Sequence, residues 1–326
     1  MIYLETGSSS PYYNLAFEEY VFEKLDVAKE YFMLWQNDRT VVVGRYQNTI
    51  EEVNAQYVDE EGIHVVRRLS GGGAVYHDMG NLNYTFIVNQ DKAPDFDFKI
   101  FTRPVISVLN ELGVDAEFAG RNDIVIQGKK CSGNSQYCKN GRILHHGTIL
   151  LNSDLSMIER ALSVNRQKLE SKSVKSVRSR VTNIVNFLDQ VLSMDELKHR
   201  LIACVAKDTW LEAGHISEAE NRRIRELQSN KYQTWEWNYG SSLPYQIQKS
   251  KKFPAGLVSV RLQAEGNRIA AIHFSGDFFG NGDISLLEQA LVGTALNEEL
   301  YQKLVRLRAE EYMKGISPRD IYEMLI

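Results

Sequence analysis

The chain has 326 residues, and its composition of 43% hydrophobic and 25% charged residues is typical of a soluble globular protein. A formal net charge of -4 argues against a protein built to bind nucleic acid. No apolar run approaches the roughly 20 residues that cross a bilayer, and the N-terminus lacks the pattern of a secretory signal. Three cysteines with no C-x-x-C pair favour a reducing compartment, so we predict a cytoplasmic protein without a membrane or nucleic-acid partner.

The predicted elements alternate between helices and short strands. Asn14 can cap a first helix with an apolar face, and we interpret Glu18, Glu19 and Glu23 as lining its other, structural side. Periodicity and turn signals predict further strands at 31–35, 40–43, 82–88, 235–240, 257–263 and 268–275. Helices are predicted over 98–112, from the caps at 193 and 217, and near 286, 300 and 322.

The segment 65–88 reads VVRRLSGGGAVYHDMGNLNYTFIV and is the most informative part of the chain. Its three glycines, at 71–73, lack a Cβ, so the backbone can take positive φ and a ligand can approach closely. Amide groups along such a bend, with Arg67 and Arg68 beside it, predict an anion-binding turn. A tight hairpin without a ligand is the alternative. P-loop and Rossmann motifs need a helix directly after the glycines, so a kinase, GTPase or dehydrogenase is not expected.

The segment 120–151 reads GRNDIVIQGKKCSGNSQYCKNGRILHHGTILL and predicts an antiparallel meander with tight turns. Lys130 follows one of these turns and can present a point charge to a phosphate or a carboxylate. Asp123 could hold Mg²⁺, which prefers oxygen ligands, although a lone carboxylate is equally often a cap or a turn residue. The cysteines and histidines of this segment do not have zinc-site spacing, and a Cys–His nucleophilic pair has no sequence signature here.

The segment 165–183, NRQKLESKSVKSVRSRVTN, is strongly basic and includes Arg178 and Arg180. It could be merely solvated, it could bind nucleic acid, or it could fold over a bound phosphoester. Since it has no aromatic residue and the protein is acidic, we favour the last interpretation. Serine, proline and lysine residues then predict a linker, which gives domains at 1–243 and 253–326 joined by residues 244–252.

Four of these stretches, RRLSGGGAVYHDMGNLNYTF, GRNDIVIQGKKCSGNSQY, HHGTILLNSDL and KSVRSRVTNI, together resemble the bacterial lipoate–protein ligases of the A type. NLAFEEY and TWEWNYG also match that family. The resemblance runs from about residue 10 to the C-terminus and is weaker in the last 75 residues or so. It implies an α+β fold, with a biotin/lipoate ligase-like catalytic domain of mixed, largely antiparallel sheet and a small accessory domain.

The resemblance also implies a two-step reaction. The carboxylate of (R)-lipoate attacks the α-phosphate of ATP with Mg²⁺, and a lysine of an acceptor protein then attacks the lipoyl-adenylate and releases AMP. The implied acceptors are the glycine cleavage H protein and the E2 subunits of 2-oxoacid dehydrogenases, and the implied ligase is a monomer. An ATP-independent lipoyl or octanoyl acyltransferase of the same fold, and a non-enzymatic anion-binding module, are the alternatives.

Site residues can be transferred from the family motifs one by one. Lys130 would be the catalytic residue that reaches the lipoyl carbonyl and the α-phosphate, and Asp123 would hold Mg²⁺. The remaining nucleotide- and substrate-binding residues implied by the motifs are Arg68, Gly73, Ala74, Val75, Tyr76, Asn83, His146, Thr148, Arg178 and Arg180. Cys131 stands where the family often has an aliphatic residue, and we interpret it as a filler.

Overall fold

We describe a computed structural model of the chain, which covers residues 1–90, 96–162, 180–239, 247–265 and 267–326. Arg178 and most of the basic segment 165–183 lie outside the described residues, as does the start of the predicted linker, 244–246. Among the described helices, none has the length and apolarity that a membrane span requires.

The N-terminal domain is built on an eight-stranded mixed sheet in the order β11-β1-β2-β6-β10-β9-β8-β7, with a separate three-stranded sheet in the order β4-β3-β5. The strands are β1 (Ile2–Glu5), β2 (Tyr31–Trp35), β3 (Thr40–Val43), β4 (His64–Arg67), β5 (Val75–His77), β6 (Asn81–Asn89), β7 (Ala116–Ala119), β8 (Asp123–Ile126), β9 (Lys129–Lys139), β10 (Arg142–Leu150) and β11 (Glu212–Ala213). The predicted meander is confirmed, because β8, β9 and β10 pair antiparallel in sequence.

Helices cover both faces of the large sheet. The N-terminal domain contains α1 (Pro11–Lys24), α2 (Thr49–Glu52), α3 (Ala55–Glu60), α4 (Lys99–Glu111), α5 (Leu155–Ala161), α6 (Met194–Asp208), α7 (Glu218–Leu227) and α8 (Trp235–Asn238). Helices α4 and α6 pack on one face of the sheet and α1 on the other. The predicted strand at 235–240 is wrong, since these residues begin with helix α8, in which the Trp237 N–H donates to the Thr234 hydroxyl.

Strand alternation decides which side chains face the site. On β6 and β10, Asn83 lies opposite Thr148, and Thr85 lies opposite His146. Successive residues of a strand point to opposite faces, so Leu82, Tyr84 and Phe86 of β6 enter the core between the sheet and α4 instead. The α1 face of these central strands therefore carries the polar residues.

The C-terminal domain is a three-stranded antiparallel sheet packed against helices. Its strands are β12 (Ile247–Phe253), β13 (Gly256–Glu265) and β14 (Arg268–Gly276), and its helices are α9 (Ile284–Leu291), α10 (Glu298–Arg306), α11 (Ala309–Tyr312) and α12 (Pro318–Leu325). Residues 247–252, which we assigned to the linker, belong to β12 and pair with β13. The loop after β14 contacts the glycine turn, because the Gly72 N–H donates to the Phe278 carbonyl at 3.4 Å.

Candidate functional site

A pocket lies between the polar face of the central strands and the glycine turn. Predicted site residues that line it are Arg68, Gly73, Ala74, Val75, Asn83, Lys130, His146 and Thr148. Tyr76 does not line it, because its side chain is buried in the cluster under the small sheet. Arg180 is exposed and does not line it either. The structure thus brings together the two sequence segments from which the site was predicted.

Lys130 and Asp123 form an ion pair at the edge of this pocket. The Lys130 Nζ lies 2.8 Å from the Asp123 Oδ1, and both side chains are about one-third exposed. The lysine lies over Gly133, where an added Cβ would come within 2.5 Å of the Nζ. A glycine at this position therefore leaves the room that the ammonium group occupies.

The glycine turn is held from inside by Arg68. Its guanidinium donates to the carbonyls of Gly71 at 2.6 Å and Gly73 at 2.9 Å, and also to the hydroxyl of Ser70. Of the three glycines, only Gly72 has positive φ, at 87°. Burial lowers the pKa of Arg68 to about 10, so the side chain remains a cation at neutral pH. Arg68 thus shapes the turn and places a buried positive charge behind it.

We predicted that Arg67 lies beside the glycine turn, and this prediction is wrong. Because side chains alternate in direction along β4 and into Arg68, which follows it, the Arg67 guanidinium faces away from the pocket. It donates to the carbonyls of Gly44, Gln47 and Asn238 at 2.7–3.0 Å. These bonds fasten the segment after β3 to helix α8, so Arg67 is a structural cross-link and not an anion ligand.

A chain of hydrogen bonds connects the buried Arg68 to a buried carboxylate. The Arg68 Nε–H donates to the Ser70 hydroxyl, whose oxygen lies 2.6 Å from the Nε2 of His146. The Nδ1 of His146 lies 3.0 Å from Glu18, which also accepts from the Thr85 hydroxyl at 2.7 Å. Glu18 is 1% exposed and lies on the buried face of α1, so our placing of it on the side opposite the apolar face was wrong. It is the counter-charge that a buried arginine needs.

The two ends of the pocket differ in polarity. Lys130, Asn122 and Asn134 give one end its polar groups. Trp35 is on β2, three strands away from the β9 of Lys130, and with Leu15, Val42 and Val75 it supplies apolar lining. The pocket can therefore hold a molecule that is anionic at one end and apolar at the other.

Cys131 and His145 belong to the core on the opposite face of the sheet. Burial raises the pKa of the Cys131 thiol to about 12, so it is not a thiolate at neutral pH. His145 stacks on Phe101 with ring centroids 4.6 Å apart, and burial lowers its pKa well below the usual value. Among the described residues, no group of three metal-ligating side chains forms a metal site.

We expect acid to destabilise the fold partly through His145. The unfolded chain takes up the proton near pH 6.5 and the buried ring does not, so the unfolded state binds more protons below that pH. The free energy of unfolding should then fall by about 1.4 kcal/mol per pH unit for such a histidine. His145→Phe should lose less stability than the wild type between pH 7 and pH 5 in urea denaturation. Parallel losses in the two proteins would contradict this.

Sequence reasoning missed Glu18, Ser70, His77 and Trp35. A signal for Glu18 exists, because it lies three residues after Leu15 and four before Phe22 and so shares their buried helix face. An acidic residue in an apolar stripe indicates a buried partner. The partner itself, 128 residues away, could not be read from the pattern.

Comparison with known proteins shows the family. The model of the lipoyl protein ligase A/B catalytic domain matches residues 10–206, and that of the bacterial lipoate protein ligase C-terminus matches residues 242–325. Lipoate–protein ligase 1 of Staphylococcus aureus is 44% identical over 97% of both chains.

Two solved structures share the fold of most of this chain. A bipartite lipoate protein ligase from Thermoplasma acidophilum, studied with its E2 lipoyl domain, is 32% identical with a TM-score of 0.65, over 76% of this chain and 98% of that one. Lipoate-protein ligase A bound with ATP is 31% identical with a TM-score of 0.61, over 73% and 97%. The glycine turn, the paired Lys130 and the two matched domains place this chain in the lipoyl protein ligase A/B family, with the C-terminal domain of the bacterial lipoate protein ligases.

Proposed function

We propose that the protein is an ATP-dependent lipoate–protein ligase that forms lipoyl-AMP and transfers the lipoyl group to a lysine of an acceptor. The observation that carries the proposal is one pocket with a lysine at its polar end and an apolar opposite end. In the first step a carboxylate oxygen of lipoate attacks the α-phosphorus and pyrophosphate leaves. In the second, the acceptor amine attacks the carbonyl carbon, loses a proton, and AMP leaves.

Lys130 has the central part in this proposal. Both reacting groups of the first step are anions, so a fixed cation between them lowers their repulsion and stabilises the charge that develops. The ion pair with Asp123 keeps the ammonium at the pocket edge before substrate binds. We propose that Lys130 then contacts the lipoyl carbonyl and the α-phosphate.

The glycine turn would bind the nucleotide through the backbone of 73–76, with the Arg68 charge behind it. The Nδ2 of Asn83 is buried in the pocket wall without a partner among the described residues, which supports a role for Asn83 in binding nucleotide or substrate. His146 and Thr148 would complete the wall beside it. Thus the turn would contribute backbone N–H dipoles, and the strands would contribute side-chain donors.

The basic segment would close the adenylate site. Its described end is fixed beside the catalytic lysine, because the Thr182 N–H donates to the Lys130 carbonyl at 2.8 Å. We propose that Arg178 and Arg180, just before this anchor, contact the adenylate and exclude water from its mixed anhydride.

Mg²⁺ would enter with the nucleotide. Asp123 is a single carboxylate beside Lys130, which fits a cation whose other ligands are phosphate oxygens and water. Mg²⁺ would supply charge neutralisation on the phosphates. For the acceptor, we propose the glycine cleavage H protein and E2 lipoyl domains, and for the ligase a cytoplasmic monomer.

The test is to incubate the protein with lipoate, MgATP and an acceptor lipoyl domain, and to measure AMP release and acceptor mass. We expect an acceptor that is heavier by one lipoyl group, with one AMP per adduct. Transfer from an acylated carrier without ATP, and no adduct with lipoate and ATP, would instead favour the acyltransferase.

Replacement of Cys131 by alanine should leave most ligase activity. The thiol is buried in the core, its pKa is raised to about 12, and its Sγ faces the Ile124 carbonyl at 3.5 Å. A cysteine-dependent acyltransferase would lose its activity in the same variant. The measurement is the initial rate of acceptor lipoylation at equal concentrations of folded protein.

A further inference from the structure

His77 lies at the apolar end of the pocket and takes no part in the function proposed above. It is 3% exposed, and its ring meets that of Trp35 edge-on at 6.3 Å. Trp35 on β2 lies opposite Asn83 on β6, and β10 and β9 follow in the sheet. This end is therefore three strand spacings, about 14 Å, from the strand that carries Lys130.

The hydrogen bonds around His77 determine which ring nitrogen carries the proton. Asn14 bonds to the carbonyls of Ser8 and Gln36, so the contacting atom is its Nδ2, and the same Nδ2 donates to the Asn37 Oδ1 at 2.9 Å. The Asn37 Nδ2 must then face the His77 Nδ1, at 3.1 Å, and donate to it. The proton of a neutral His77 is consequently on Nε2.

The His77 ring is neutral, and its Nε2–H group is unpaired among the residues that the structure describes. Burial, with Arg68 and His146 nearby, lowers its pKa to about 3, so the ring is neutral at physiological pH. The Nε2 is buried and has no hydrogen-bond partner within the described part of the chain. By contrast, the indole N–H of Trp35 already donates to the Thr85 hydroxyl at 2.9 Å. His77 thus contributes an unpaired donor to the pocket wall beside Trp35.

We propose that His77 determines specificity by donating its Nε2–H to a ring sulfur of lipoate. The inference rests on the proposed function and extends it to the choice of acid. A sulfur is a weak acceptor and a polarisable apolar atom, so it suits both the N–H and the surrounding side chains. Octanoate, which has the same eight-carbon acid chain without sulfur, would leave the donor unpaired, and an unpaired buried donor is costly.

The test compares the binding of lipoate and octanoate, in the presence of a non-hydrolysable MgATP analogue, to the wild type and to His77→Phe. The phenyl ring keeps the shape of the wall and removes the donor. We expect the ratio of the two dissociation constants to fall by about five- to tenfold in the variant, mainly through weaker lipoate binding. Trp35→Phe is the matched control. The indole N–H of Trp35 is already paired with Thr85, so this variant should weaken the binding of both acids to the same extent.

An unchanged ratio in His77→Phe, or a wild type that binds both acids equally, would overturn the inference while leaving the ligase assignment intact. A wild type that prefers lipoate in this way but forms no lipoyl-AMP would overturn the ligase assignment and support the inference. If the variant does not fold, ¹⁵N NMR of the wild-type histidine decides. The Nε2 signal of His77 should shift with lipoate and not with octanoate, and equal shifts would refute the proposal.

Discussion

Lys130→Ala is expected to lower the rate of lipoate activation by at least about 10²–10³-fold, the usual cost of removing one preorganised donor to a developing charge. Transfer from preformed lipoyl-AMP should fall as well, because the same ammonium would face the carbonyl oxygen in both steps. The side chain is one-third exposed, and within the described ranges it pairs with Asp123 alone, so the fold should survive. Pyrophosphate release and single-turnover transfer from synthetic lipoyl-AMP measure the two steps separately.

Lys129→Ala is the control for this variant. Lys129 is the preceding residue on β9, is exposed, and does not line the pocket, so both rates should stay close to the wild type. If Lys130→Ala loses one step and keeps the other, Lys130 does not have the shared role that we assign to it. If both lysine variants lose activity equally, a general charge effect is the better explanation.

Local patterns were sufficient for most of the N-terminal strands. β2 and β3 were predicted with the observed bounds, and β6 within two residues at its ends, because apolar runs between turn residues identify buried strands. β12 was missed, since six of its seven residues are exposed and three are lysines. Lysines are common on edge strands, where they prevent pairing with other chains, and in sequence they look like a linker.

The site was predicted in part, and the errors have one cause. Sequence identified the glycine turn and Lys130, since glycines and a lysine after a turn have local chemical meaning. It could not separate Arg67 from Arg68, because adjacent positions of an extended chain face opposite sides and only the tertiary fold decides which side holds the pocket. In the structure one arginine supports the turn and the other fastens helix α8.

Glu18→Ala should be strongly destabilising, by about 3–5 kcal/mol in the free energy of unfolding. The substitution removes the counter-charge of the buried Arg68 and leaves the His146 Nδ1 and the Thr85 hydroxyl without their acceptor. All of these groups are nine-tenths or more buried, so water does not fully replace the lost carboxylate. Urea denaturation of the purified variant measures the loss.

Glu23→Ala, on the same helix, is the matched control for this prediction. Glu23 pairs with Lys139 at 2.9 Å, but both side chains are partly exposed, and such pairs contribute about 1 kcal/mol or less. Both substitutions change helix propensity alike, so the difference between them reports the buried network. Equal losses would show that Arg68 does not depend on Glu18. A larger loss for Glu18→Ala, together with weaker ATP binding in the folded fraction, would show that the residue supporting the glycine turn is itself supported from α1.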